Sequence, residues 1–371
     1  MLGNDGKTAL SKMYELGTSP WIDNISRDWF SNGKLSALIN SGVVGLTSNP
    51  AIFAAAIAST SLYDQQILEL ASKGLSSRAI ALELAKSDIT TAAKLLEPIY
   101  HTTKAKDGWA SIEVDPDLAY LSSETLKAAR ALHSELGAPN IMVKIPATDQ
   151  GLMPIREAIT SGISVNVTLI FSLERYREVY STYLDGAQGF INAGGDPRTI
   201  GGVASFFVSR IDSAIDPLLE ARGRSDLMGK AALAQARLAY SAFQEISNSE
   251  KAQSLFAQGL RPQRPLFAST STKNSAFPKL LYVENLIGAD SVNTMPLPTL
   301  EEMLANGKPT ADTVLSGLDE SRQLLEHVLG DLGISMSVLA ADLETQGVES
   351  FAQAWHALMS EIEKKIANQG S

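Results

Sequence analysis

One lysine stands where a lysine is out of place. The run Asn140-Ile141-Met142-Val143-Lys144-Ile145-Pro146-Ala147-Thr148 reads as a short strand, apolar on both faces and bounded by Asn140 and Pro146. Burying an ammonium ion without a partner is costly. The chain must therefore leave Lys144 neutral, pair it with a carboxylate, or let it snorkel to solvent from the strand end. The apolar strand favours a largely neutral Lys144, and a neutral lysine amine condenses with carbonyl carbons to form a Schiff base. That chemistry needs two further groups: one to move protons while the carbinolamine loses water, and one at the substrate hydroxyl whose C–C bond breaks. Glu113, relaying through a water held by Thr168, suits the first role, and Asp23 suits the second, with Asn49 and Asn166 placed to hold substrate hydroxyls. No metal or organic cofactor is required, because the iminium is itself the electron sink. Each residue also has an ordinary reading. Asp23 could cap a helix, Asn49 could form a turn before Pro50, Glu113 could pair with a surface lysine, and Asn166 and Thr168 could satisfy nearby backbone.

These groups need a frame that brings distant strands to one place. Apolar runs at 19–24, 43–47, 109–114, 141–145, 163–169, 202–208, 265–270 and 291–295 read as eight strands. Nearly all are separated by helical patterns. Residues 51–100 hold two or three helices, Asp115-Pro116 opens a helix of about 20 residues, and Ser172 caps another. From about 299 the chain is helical to its end, with Gly307, Pro309 and Gly347 as breaks. Eight strands alternating with helices predict a closed parallel (β/α)₈ barrel, a TIM barrel, with extra helices at the termini and after the second strand. An open dinucleotide-binding sheet would need Gly-x-Gly-x-x-Gly after the first strand, and none is there. In a barrel, polar residues near the C-terminal strand ends mark the active site. Asn166 and Thr168, two apart on one strand, share a face, as do Ser205 and Phe207. A phosphate would sit at the mouth near strands six to eight. There Arg210 and the loop Ser269-Thr270-Ser271-Thr272-Lys273-Asn274 supply basic groups and hydroxyls, unless the loop is simply polar and its lysine solvated.

Composition narrows the remaining choices. The whole chain, 1–371, reads as a single barrel domain with a helical C-terminal extension. A formal charge of -10 disfavours nonspecific nucleic-acid binding. No run of about 18 apolar residues suggests a membrane span, and Met1-Leu2-Gly3-Asn4-Asp5 lacks the features of a signal peptide. The absence of cysteine fits a cytoplasmic protein without requiring one. His101, His133, His327 and His356 lack metal-ligand spacing and read as structural. Oligomeric state leaves no trace in the sequence.

Several segments together resemble transaldolase in its longer bacterial branch: Asn24-Ile25-Ser26-Arg27-Asp28, Gly45-Leu46-Thr47-Ser48-Asn49-Pro50-Ala51-Ile52-Phe53, Val143-Lys144-Ile145-Pro146-Ala147-Thr148 and Asn166-Val167-Thr168-Leu169-Ile170-Phe171-Ser172. The resemblance covers nearly the whole chain and rests on the combination of motifs. It implies a class I aldolase-like (β/α)₈ barrel that moves a dihydroxyacetone unit between sugar phosphates through a lysine Schiff base, in the non-oxidative pentose phosphate pathway. It further implies Lys144 as nucleophile, Asp23 as the acid/base for the C–C bond, and Glu113 and Thr168 for water and protons. Asn49, Asn166 and Ser205 would bind the dihydroxyacetone portion, and Arg210, Ser271 and Lys273 the phosphate. Shorter relatives carry arginine where this chain has Lys273, which replaces a bidentate grip by a point charge. Two other readings stay open. A fructose 6-phosphate aldolase on the same scaffold typically carries glutamine and tyrosine where this chain has Glu113 and Phe207. A non-catalytic sugar-binding barrel would be expected to lack the nucleophile or acid.

Overall fold

The computed structural model describes residues 7–369, so Met1–Asp5, where the signal-peptide reading falls, lies outside the described residues. Eight parallel strands close into a barrel in sequence order, β1 next to β2 and β8 back against β1. They are β1 Thr18–Asp23, β2 Gly45–Thr47, β3 Trp109–Glu113, β4 Ile141–Pro146, β5 Val165–Ile170, β6 Gly202–Phe207, β7 Arg264–Ala268 and β8 Ser291–Met295. Strands buried by helices outside and by packed side chains inside are apolar on both faces, which is why they read as continuous runs rather than alternations. The expected (β/α)₈ architecture is the observed one.

Closure depends on close approaches that particular residues permit. Gly45 at the start of β2 sits against the Trp21 indole, where a Cβ would come within 2.3 Å of the ring. In β5 the pairing with β6 slips between Val167 and Ile170, and Leu169 adopts a left-handed φ of 61°. This irregularity bends β5 at its mouth end.

The helices match expectation after β2 and depart from it in two places. Residues after β2 form three α-helices, Pro50–Ser59, Asp64–Ser72 and Ser77–Thr102, the upper end of the expected number. Asp115 does cap, accepting from the Asp117 amide, but only a 3-10 turn, Pro116–Leu118; the following helix, Ser122–Leu136, is shorter than expected. Gly307 and Pro309 lie in a non-helical stretch, 307–312, as expected of breaks, but Gly347 breaks nothing: it lies inside one long helix, Met336–Gln369. There the missing side chain has a packing use. A Cβ on Gly347 would stand 2.9 Å from Leu169, so glycine lets this terminal helix pass close over the bend in β5. A single glycine costs roughly 1 kcal/mol of helix propensity, which neighbouring packing overrides. The terminal helix lies against helices Pro50–Ser59 and Ser77–Thr102 and is tied down by Lys365–Asp64 (2.6 Å) and His356–Asp117 (3.0 Å). Its Val348, Phe351, Trp355 and Leu358 join the buried core of the barrel. Among the described residues no single helix is long and apolar enough to cross a membrane.

Candidate active site

Strand register sets the centre of the site. Glu113 on β3 is the pairing partner of Lys144 on β4, which in turn pairs with Asn166 on β5. Three polar side chains therefore stand in a row across three neighbouring strands. The Lys144 side chain is 6% exposed and that of Glu113 5%, and Lys144 Nζ donates to Glu113 Oε2 at 3.2 Å and to the Ser48 carbonyl at 3.2 Å. Burial thus drives Lys144 into a carboxylate pair, one of the outcomes its strand allowed, and Glu113 does not reach a surface lysine. Desolvation pushes the Glu113 carboxyl up to about 7, against the pull of the Lys144 charge. Its second oxygen, Oε1, is buried without a protein partner, and so is Thr168 Oγ1 on β5. Two unsatisfied polar atoms beside a lysine amine are costly for stability and suited to a ligand or a water.

Asp23, at the C-terminal end of β1, accepts from Thr47 Oγ1 at 2.7 Å. Because that hydroxyl proton is committed, Thr47 must accept from Thr294 Oγ1, 2.6 Å away on β8. Burial raises the Asp23 pKa, opposed by Lys144, by the Thr47 hydrogen bond and by Arg210. Asn166 is bonded at both ends of its amide beneath the mouth: its NH₂ donates to Ser111 Oγ (3.1 Å) and its carbonyl accepts from Ser205 Oγ (2.7 Å). Asn49 caps helix Pro50–Ser59, its Oδ1 accepting from the Ile52 amide at 3.0 Å, which leaves its NH₂ for a ligand.

A cavity of about 180 Å³ opens at this end of the barrel, lined by Asp23, Asn49, Lys144, Thr168, Ser205, Arg210, Ser271 and Lys273 among others. Of the ten residues singled out in the sequence, these eight line it directly. Glu113 reaches it through Lys144, and Asn166 supports it through Ser205. Arg210 stands in the first turn of helix Ser209–Glu220, its guanidinium 5.1 Å from the centre of the Phe207 ring. It has no ion-pair partner among the described residues, and burial lowers its pKa. Ser269 and Ser271 both line the cavity; Ser269 Oγ is hydrogen-bonded to Ser209 and Ser271 Oγ to Thr299.

Three contributors escaped the sequence reading. Thr47 and Thr294 orient Asp23 from strands where a threonine looked like any other β-former. Phe351, from the terminal helix, places its ring 5.3 Å from Lys144 Nζ and 5.9 Å from the Arg210 guanidinium, forming one wall of the cavity. The terminal helix thus crosses the mouth. Its amphipathic spacing predicts a buried face but not what that face covers. Arg27 serves elsewhere, clamping Asp88 (2.9 Å) beside Tyr63. The histidines stand apart from the cavity: His101 is near Glu97, His356 pairs with Asp117, and burial lowers the His133 pKa.

A buried amine in contact with a carboxylate of near-neutral pKa, with a second acid across the cavity and free cations at the rim, defines the lysine-centred (β/α)₈ barrels of class I aldolase type. The description of the Transaldolase/Fructose-6-phosphate aldolase family matches residues 20–362. Relatives match over nearly their whole length. The chain is 44% identical to a transaldolase of Thermobifida fusca (96% of this chain, 98% of the relative). It is 43% identical to transaldolase 1 of Streptomyces coelicolor (98% and 96%) and 40% to a transaldolase of Frankia alni (98% of each). The chain belongs to the transaldolase/fructose-6-phosphate aldolase family.

Proposed function

We propose that this chain is a transaldolase, an enzyme that carries a dihydroxyacetone unit from sedoheptulose 7-phosphate or fructose 6-phosphate to glyceraldehyde 3-phosphate or erythrose 4-phosphate, and that it works in the cytoplasm. The observation that carries the reading is the buried Lys144–Glu113 pair, in a chain whose full-length relatives are transaldolases. The Lys144 amine adds to the ketose C2 carbonyl. The resulting carbinolamine hydroxyl leaves as water, taking a proton from Glu113, whose pKa near 7 lets it hold and release one at working pH. Asp23 removes the C4 hydroxyl proton. The C3–C4 bond breaks, its electron pair flowing into the iminium to form an enamine, and the aldose phosphate departs. The enamine then attacks the acceptor aldehyde, Asp23 returns its proton, and hydrolysis of the new iminium frees the product.

The placement of each group supports its role. The free valences of Glu113 Oε1 and Thr168 Oγ1 suit a catalytic water between them. Ser205 and the Asn49 amide suit the dihydroxyacetone hydroxyls, with Asn166 orienting Ser205. Arg210, Ser271 and Lys273 suit the phosphate, Arg210 being unpaired and Lys273 an exposed point charge. Phe207 and Phe351 wall the cavity with apolar rings, which suits an intermediate that must outlast the departure of the first product. The chain acts as one unit, because the terminal helix supplies a wall of the barrel's own site.

Trapping tests the reading. Incubation with fructose 6-phosphate and borohydride, followed by digestion and mass spectrometry, should give a reduced dihydroxyacetone adduct on Lys144. Turnover should require erythrose 4-phosphate. Rapid release of free dihydroxyacetone without acceptor would show a fructose 6-phosphate aldolase instead, and no adduct on folded protein would leave a sugar-binding barrel.

A further inference from the structure

The opposite end of the barrel holds a second cavity, of about 210 Å³, that the chemistry above does not use. Its walls come from the loops that enter the strands: Thr103–Lys106 before β3, Gly201 before β6, Arg261 and Pro262 before β7, and Asp290 before β8. Four cationic side chains line it, Lys104, Lys106, Arg261 and Arg264. Among the described residues two carboxylates form ion pairs with them. Asp107 is bound to Arg264 at 2.9 Å, and Asp290 takes Lys106 at 2.7 Å. Among the described residues Lys104 and Arg261 have no ion pair, on a chain whose formal charge is -10.

Arg261 is the telling residue. It is half-buried, and burial lowers its pKa, yet its guanidinium meets only two carbonyl oxygens, of Ile200 (2.9 Å) and Lys104 (3.3 Å). Those bonds use two of its five N–H donors. The nearby carboxylate of Asp196 is taken up by Arg198. A partly desolvated arginine with donors to spare is normally found facing a carboxylate or phosphate. The loop opposite is also unusual. Lys104 and Ala105 both adopt left-handed backbone, φ 53° and 62°, which non-glycine residues avoid. Their amides are bonded to the end of helix Ser77–Thr102, so the strain presents the Lys104 side chain rather than backbone donors. Strained non-glycine backbone persists where surrounding structure holds it, and it gathers at ligand sites.

We propose that this cavity is an anion site, separate from the mouth, that takes a small tetrahedral oxyanion of the phosphate class between Arg261 and Lys104. The cavity is of the same order as the one at the mouth (about 210 against about 180 Å³), room enough for a free phosphate or a phosphoryl group on a small carrier. Occupancy neutralises the unpaired charges and couples the loops that enter β3 and β7.

Inorganic phosphate titrated calorimetrically into four proteins tests this: the wild type, Arg210→Ala, Lys104→Glu and the double variant. Arg210→Ala weakens phosphate binding at the mouth, and Lys104 is exposed, so its replacement does not threaten folding. The expected result is that Arg210→Ala still binds phosphate and that adding Lys104→Glu weakens this binding at least tenfold. Arg261→Gln in the Arg210→Ala background should do the same, with its fold checked by circular dichroism. Glycerol 3-phosphate binding as tightly as inorganic phosphate would identify a phosphoryl group as what is recognised; a preference for the free ion would identify phosphate itself. Absence of phosphate binding in Arg210→Ala, or equal binding after Lys104→Glu, overturns the proposal.

Discussion

The two ends of the barrel each bury a cation against a carboxylate, and they finish the job differently. On the floor, Arg264 and Asp107 are 7% and 0% exposed and 2.9 Å apart. Arg264 also donates to Ser19 Oγ (2.8 Å) and to the Lys106 carbonyl (2.6 Å). Asp107 accepts in addition from Ser19 Oγ (2.9 Å) and Trp21 Nε1 (3.3 Å). At the mouth, Lys144 and Glu113 are almost as buried, but Glu113 keeps an oxygen without a partner and Thr168 a hydroxyl. A fully bonded buried pair holds three strands in place. An incompletely bonded one holds chemistry in reserve, at a cost in stability that the rest of the fold must offset. The floor then separates further, into a closed pair at Arg264 and an unpaired guanidinium at Arg261.

Four substitutions sharpen or break this contrast. Lys144→Met should abolish transfer, to the background of a coupled assay, while leaving thermal stability unchanged or higher, since the Glu113 carboxyl it leaves behind can protonate near pH 7. A large fall in melting temperature would mean that the mouth pair is structural after all. Arg264→Met should do the opposite: it strands the Asp107 carboxylate, costing about 3–5 kcal/mol of stability in denaturant titrations, while kcat per folded molecule stays close to wild type. Phe351→Leu opens one apolar wall beside Lys144 and leaves a small cavity there, at some cost in packing. We expect free dihydroxyacetone release without acceptor to rise several-fold relative to transfer, with KM for the sugar phosphate changed less.

The smallest effect concerns pH. The Glu113 pKa is raised from 4.5 to about 7 in the folded state, so the folded protein holds that proton more tightly than the unfolded chain. The stability this group contributes is fully present below about pH 4.5 and is lost as pH rises through 7. Glu113→Gln should therefore flatten the decline in melting temperature across that window. Asp212, also raised to about 7 by burial, remains in the variant and contributes to the residual slope with the other buried carboxyls.

Much of the mouth was legible in single residues. Lys144 interrupts an apolar run, Glu113 and Asp23 close theirs, and Asn166 and Thr168 keep alternation on one strand. Each departs from a strong local pattern, and a local departure is visible without a structure. Thr47 and Thr294 depart from nothing, being ordinary strand residues 247 positions apart whose hydrogen bond exists only because β1 closes between them. Phe351 and Gly347 sit in a helix whose spacing marks a buried face and leaves its target open. Gly347 even reads as a break, because its use lies in a neighbour, Leu169, from another part of the chain. On the floor, Lys104 and Arg261 read as ordinary loop cations, since left-handed backbone and an unpaired guanidinium have no signature in spacing.

The sequence by itself determined the strands and helices, their order, the barrel they close, and which strand ends carry polar groups. All of these follow from periodicity and from near neighbours along the chain. Only the tertiary structure decided that Lys144 meets Glu113 rather than solvent, that Asn166 supports the cavity instead of lining it, and that a terminal helix walls the mouth. Those outcomes turn on distances between remote segments, set by how the whole core packs. A carboxyl with a pKa near 7 is a property of that packed environment rather than of glutamate.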